Sequence, residues 1–87
     1  MKIKLTKMAE KQLRKIAKGD KKSAGMIYEK IKDYADGKGE HSVNVTKLSG
    51  NKERMRMRIG NYRIIFKIKN DMMLISIIKH RSEAYDD

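Results

Sequence analysis

Two cationic stretches carry the side chains best suited to work on an anionic group: "RMRMRIGNYR" at 54–63 and "KHRSEAY" at 79–85. Guanidinium and ammonium groups hold phosphate oxygens through charge-assisted hydrogen bonds. An imidazole adds proton transfer near neutral pH, and a phenol adds a stacking surface. In the first stretch Arg54, Arg56 and Arg58 alternate with Met55, Met57 and Ile59, so a strand would project the arginines together from one face. Side chains two apart on a strand face are about 6–7 Å from one another, and three guanidiniums at that spacing repel unless an anion lies across them. The plain alternative is that alternating arginines keep a small exposed sheet soluble, while "KHRSEAY" is a solvated tail.

Arg63 starts the next predicted strand, just past "GN" at 60–61. Antiparallel pairing of that strand with the last one brings 79–81 beside 62–63. Arg63, Lys79, His80 and Arg81 can then converge, with Tyr85 within reach of a short return. The strand pattern runs out at the tail, so alternation does not fix where each of these side chains points. Other chemistries fall away. His41 and His80 share no acidic cluster at ligand spacing, so no metal site is expected. "SGNKERM" lacks the glycine spacing and Lys-Ser/Thr ending of a phosphate loop. No serine sits in a nucleophile elbow.

These groups must be positioned by a chain of 87 residues, which is room for one domain, 1–87. It has no cysteine, so disulfides and thiolate metal sites are excluded. The net charge is +11, made of +7 in residues 1–50 and +4 in 51–87, so the excess is spread along the chain. Such a body attracts polyanions, nucleic acid first, although an acidic protein or an anionic membrane surface would answer the same field. No apolar stretch approaches a membrane span, and "MKIKLTKMAEKQL" lacks the apolar core of a secretory signal; the reading is cytoplasmic, with no membrane partner.

"KIKL" at 2–5 alternates and predicts a first strand. Thr6 is a candidate cap for a helix carrying Ala9, Leu13, Ile16 and Ala17, and Gly19 and Asp20 mark its end and a new start. Ala24, Ile27, Tyr28, Ile31, Tyr34 and Ala35 recur at helical spacing, closed by Gly37. Residues 38–50 read as loop, with Val43 and Val45 able to pair briefly. "RMRMRI", "YRIIFKIK" and "MMLISIIKH", separated by "GN" and "ND", make a three-strand meander. The order β-α-α-β-β-β predicts an α+β domain. Its N-terminal helical hairpin would cover one face of a mainly antiparallel twisted sheet and leave the other open.

The stretch "KLSGNKERMRMRIGNYRIIFKI…MMLISIIKHRSEAY" resembles the RelE/ParE superfamily of bacterial type II toxins. The pieces are Leu48-x-Gly50, the R-x-R-x-G-x-Y-R-(I/V)-(I/V)-(F/Y) core at 56–66, and H-R-x-x-x-Y at 80–85, and with the preceding strand and helices the likeness spans essentially the whole chain. The resemblance implies a toxin silenced by a cognate antitoxin, here acidic or amphipathic to offset the charge. In the RelE branch it implies an endoribonuclease that cuts mRNA in the A site of the 70S ribosome without metal or cofactor. There the ribose 2′-OH attacks the adjacent phosphate, leaving a 2′,3′-cyclic phosphate and a 5′-hydroxyl. By motif, Arg63 matches the phosphate-stabilising arginine, and Arg54 and Arg56 fall where RelE-type enzymes place basic residues, often lysines. Lys79 falls near a position serving the leaving group, His80 and Arg81 match the "HR" of many members, and Tyr85 matches a tyrosine that stacks on or orients the nucleotide. Arg54, Arg58, Lys47 and Lys52 are the candidate RNA-binding cations. Since an arginine is no useful base, His80 is the best acid or base available, with Glu53 at the strand entrance the second choice. The resemblance also admits a ParE-like toxin that inhibits DNA gyrase by protein contact, or a non-catalytic RNA-binding member.

Overall fold

The computed structural model describes residues 1–38, 44–48 and 53–83. Its elements in chain order are β1 (Lys2–Leu5), α1 (Lys7–Gly19), α2 (Lys21–Ala35), β2 (Asn44–Lys47), β3 (Arg54–Ile59), β4 (Tyr62–Lys69) and β5 (Met72–His80). The α+β architecture read from the sequence is the one observed, with one addition. Val45 sits in a short strand, β2, that pairs antiparallel with β3, whereas Val43 lies outside the described residues. The sheet order is β1-β5-β4-β3-β2, and β1 lies parallel to β5 while every other pair is antiparallel.

Local chemistry sets the helix boundaries. The Thr6 side chain accepts a hydrogen bond from the Ala9 amide at 3.1 Å, and its hydroxyl donates to the Ser76 carbonyl at 3.2 Å. One residue thus caps α1 and pins it to β5. Asp20 is shared by both helices. Its amide donates to the Ile16 carbonyl at the end of α1, while its carboxylate accepts from the Ser23 amide and hydroxyl at the start of α2. After α2, Gly37 takes φ +74°, and the Gly37 and Lys38 amides return to the carbonyls of Tyr34 and Asp33. That is the paired closure of a Schellman cap, which calls for a left-handed residue at this position.

The core lies between the helices and one face of the sheet. Ile27 and Ile31 of α2 meet Met57, Ile59, Ile64, Phe66, Met73, Ile75 and Ile78. Tyr34 packs edge-on against Phe66, with ring centroids 5.7 Å apart. Tyr28, predicted on the same helical stripe, is instead 53% exposed. Both predicted hairpin turns form. Gly60 takes φ +57°, and Asn70 and Asp71 take φ +53° and +58°, the left-handed pair of a type I′ turn.

Two further features place the end of β5. A register shift between Ile65 and Phe66 leaves Ser76 without a pairing partner, and its hydroxyl donates to the Ile65 carbonyl at 3.3 Å. β1 accompanies β5 only as far as Ile75. Beyond it, the Ile78 amide is satisfied by the side-chain oxygen of Gln12 in α1, 2.7 Å away. An edge amide that would otherwise need water is thereby tied to the helical layer.

Candidate nucleic-acid site

On β3 the alternation holds. Met57 and Ile59 are buried under the helices, and Arg54, Arg56 and Arg58 lie on the uncovered face. The ladder then decides what stands beside each arginine. Arg58 is opposite Arg63, and Arg63 is opposite Lys79, so three cations form one row across β3, β4 and β5. Directly opposed side chains have Cβ atoms about 4.5–5.5 Å apart, close enough for the charges to repel. Past the strand end the Arg81 amide donates to the Asn61 carbonyl at 2.7 Å, which brings Arg81 back to the β3–β4 turn. A hollow of about 310 Å³ opens at this corner, lined among the described residues by Arg58, Gly60, Tyr62, Arg63 and Arg81. Its open geometry and the convergence of guanidiniums suit a phosphodiester, which accepts several charge-assisted hydrogen bonds at once.

Neither Arg58 nor Arg81 has a side-chain hydrogen bond or ion pair with another described residue, whereas Arg56, Arg63 and Lys79 each have a further interaction. Arg58 is exposed, and Arg63 and Lys79 are half-buried. Gly60 shapes the rim for two reasons. Its φ of +57° disfavours a side chain, and a Cβ there would lie 3.3 Å from Cε of Met26, which reaches the turn from α2.

His80 stands apart from this row. β5 continues as strand through His80, so its side chain alternates with that of Lys79 and falls opposite Tyr62, on the side of Ile64 and Ile78. The two rings meet edge-on with centroids 5.1 Å apart. Nδ1 of His80 is 3.1 Å from the Ser82 amide and 2.7 Å from the Ser82 hydroxyl. An amide only donates, so Nδ1 accepts, and the neutral ring carries its proton on Nε2. The His80 amide donates to Oε1 of Glu83 at 3.0 Å and completes a tight turn around the ring. In this arrangement Nε2–H is the group His80 offers, as a donor.

The remaining predicted cations scatter. Arg56 faces Ile65, which is 2% exposed although it lies on the face expected to be polar. Leu48 and Ile77 share that face, so it is a mixed surface in which the cations frame apolar residues. Arg54 is four residues from Arg58 on β3, roughly 13 Å along the strand. It lines a second hollow of about 260 Å³ with Glu53, Phe66, Lys67, Leu74 and Ser76. Lys47 is opposite Met55, so register turns it to the helix side of the edge strand, away from the arginine row. Lys52 and Tyr85 lie outside the described residues. The sequence reading gave no role to Tyr62 and Gly60, which line the first hollow, or to Lys67, opposite Arg54. Counting the ladder outward from the two-residue "GN" turn would have found all three. No described group of three or more His, Cys, Asp or Glu side chains is placed to hold a metal ion.

The family model for the ParE toxin of the type II toxin–antitoxin system parDE matches residues 3–85. The chain belongs to this toxin family. It is also 26% identical to Toxin RelE3 of Methanocaldococcus jannaschii, over 99% of this chain and 97% of that protein. Among solved structures, a metal-bound toxin from Helicobacter pylori superposes with a TM-score of 0.80 at 14% identity, covering 98% of this chain and 99% of that one. The toxin in the RelB–RelE antitoxin–toxin complex from Methanococcus jannaschii superposes with a TM-score of 0.66 at 22% identity, covering 88% of each chain. The fold is thus the RelE-like α+β fold, and this chain is a toxin of a type II toxin–antitoxin system.

Proposed function

We propose that the toxin is a metal-independent endoribonuclease that cuts mRNA in the ribosomal A site and so stops translation in the cytoplasm. The observation that carries this reading is the row Arg58–Arg63–Lys79, closed by Arg81 around one hollow. In-line attack of a 2′-OH builds negative charge on a pentacoordinate phosphate. Cations already fixed around that position stabilise it without reorganising. Arg63, centred in the row, holds the non-bridging oxygens, with Arg58 and Arg81 on either side. Lys79 faces the departing 5′-oxygen. The Lys79 ammonium protonates that oxygen, the 2′-OH proton passes to water, and His80, on the opposite face from Lys79, keeps to the rim beside Tyr62. Tyr85 stacks on or orients the nucleotide, and Arg56, Arg54 and Lys52 engage the flanking RNA, whereas Lys47, turned to the helix side, does not.

The relative named RelE3 and the likeness to a RelE solved with RelB favour this branch. The matching family model is that of ParE, which keeps gyrase inhibition as the second reading. Either way, the partner is an antitoxin with an acidic or amphipathic helix. Its seat is the open groove of about 620 Å³ between α1 and α2, floored by Leu5, Leu13, Ala17 and Ala24, with Arg14 and Lys21 at the rim. The test is induction with and without the antitoxin gene, mapping mRNA 5′ ends while assaying plasmid supercoiling. Codon-phased cuts with normal supercoiling are the expected result. Altered supercoiling with intact mRNA assigns the chain to the gyrase branch.

A further inference from the structure

The hollow uses few of the 22 basic residues, and the N-terminal half carries the larger share of the excess charge. Much of that share sits on one helix. Lys7, Lys11, Arg14, Lys15 and Lys18 of α1 are all exposed, and none has a side-chain hydrogen bond or ion pair with another described residue. At 100° per residue the five fall within an arc about 100° wide, and at 1.5 Å per residue they span about 16 Å along the axis. Their spacings, i to i+3 and i to i+4, set like charges beside one another, which destabilises an isolated helix. Glu10, the only acidic residue of α1, lies about 40° outside this arc, beside Arg14 on the side of the apolar groove.

α1 packs over β5 in the helical layer, whereas the Arg58–Arg63–Lys79 row lies on the uncovered face of the same sheet. The two cationic surfaces therefore look out from opposite sides of the molecule. We infer that the α1 stripe is a second RNA-docking surface, which holds the phosphate backbone of a double-stranded RNA segment while the hollow takes a single strand. Several observations favour that occupant. A protein interface has a core depleted in charge and built on apolar anchors, and the stripe offers only cations. Surfaces that grip unpaired strands stack bases on aromatic side chains, and α1 contains no aromatic residue. A straight, rigid line of cations suits the fixed phosphates of a duplex, which is read by shape and backbone. The inference concerns binding and holds whether or not the hollow cuts RNA.

The test measures affinity of the purified toxin for a 20-base-pair RNA duplex between 50 and 200 mM salt. The triple variant Lys11→Gln, Lys15→Gln, Lys18→Gln is compared with an equal change of charge elsewhere, Lys22→Gln, Lys32→Gln, Lys69→Gln, at positions that are also exposed. Circular dichroism checks that both fold. The stripe variant is expected to bind at least tenfold more weakly, with the slope of log affinity against log salt reduced by about 2–3, since each phosphate contact contributes close to one. The control is expected to change the slope by less than one. Equal losses in the two variants would show that only net charge matters and would overturn the inference. So would an unchanged slope, or loss of duplex binding in Arg63→Ala equal to that in the stripe variant. A stripe variant that binds duplex normally but loses an acidic antitoxin would reassign the surface to protein. Cleavage of mRNA on programmed ribosomes by wild type and Arg63→Ala is read separately, so failure of the nuclease reading and failure of this one are distinct outcomes.

Discussion

The two ends of β3 carry the same residue type on the same face, yet they sit in different electrostatic settings. At the Arg58 end, register sets Arg63 and Lys79 in line, the returning chain adds Arg81, and the hollow between them is framed by cations and a tyrosine. At the Arg54 end, the neighbour is Lys67, and the hollow includes the carboxylate of Glu53 with Leu74 and Phe66. An acid beside the cations offsets their pull on a phosphate, and apolar walls give an anion nothing to bind. Residue type alone therefore does not make a site. The cross-strand partner decides whether an arginine joins a concentrated field or a balanced one.

Substitution at each end sharpens this contrast. Arg63→Ala is expected to lower the rate of RNA cleavage by about 10²–10³-fold, the usual cost of losing a fixed donor at a developing oxyanion. Arg54→Ala is expected to cost less than about tenfold, because its hollow is not the one assigned to the reacting phosphate. Single-turnover cleavage with melting temperatures measured alongside reads both, and equal losses would break the distinction. Gly60→Val tests whether the rim must be glycine. The φ of +57° and the Met26 contact predict a loss of about 2 kcal/mol or more in denaturant unfolding. A fully stable variant would show that the turn relaxes freely.

A smaller effect bears on the cation row itself. Arg58→Gln removes one member of a like-charge ladder and is expected to stabilise the free protein by about 0.2–1 kcal/mol at low salt, fading as salt screens the row. Destabilisation that is independent of salt would mean that the arginines do not strain the fold. Asp20→Ala, at the cap shared by α1 and α2, tests a local contribution of similar size. Hydrogen bonds from the Ser23 hydroxyl and amide hold the Asp20 carboxyl below its ordinary value of 3.8. A lowered folded-state value contributes stability above the unfolded value and loses it as pH falls through the folded one. The difference between wild type and Asp20→Ala is therefore expected at neutral pH and should vanish in strong acid; a difference that grows on acidification would reverse that sign.

Much of this was legible before the coordinates. Helical spacing, Thr6, Asp20 and Gly37 gave the hairpin, because capping is local chemistry. Strict alternation gave β3, and the two-residue turns gave its pairing with β4 and β5. The nearness of 79–81 to 62–63 followed from antiparallel geometry, and the ladder and the Arg81–Asn61 hydrogen bond bear it out. Long-range features were not legible. The parallel docking of β1 on β5 leaves no local mark, and neither does the unpaired Ser76. His80 was hard to place because the apolar alternation fades after Ile78, although the predicted strand "MMLISIIKH" continues through His80 as observed. That continuation sends His80 and Lys79 to opposite faces. The exposure of Tyr28 and the burial of Ile65 depend on neighbours that no periodicity reports.

The central claim is that the hollow at the Arg58 end, and not the one at the Arg54 end, handles the reacting phosphate. Its most direct measurement is the chemistry of the RNA ends released on programmed ribosomes by wild type, Arg63→Ala and Arg54→Ala. The account predicts 2′,3′-cyclic phosphate and 5′-hydroxyl ends from wild type and Arg54→Ala, with none above background from Arg63→Ala. Undiminished cyclic-phosphate ends from Arg63→Ala, or their loss only in Arg54→Ala, would contradict it.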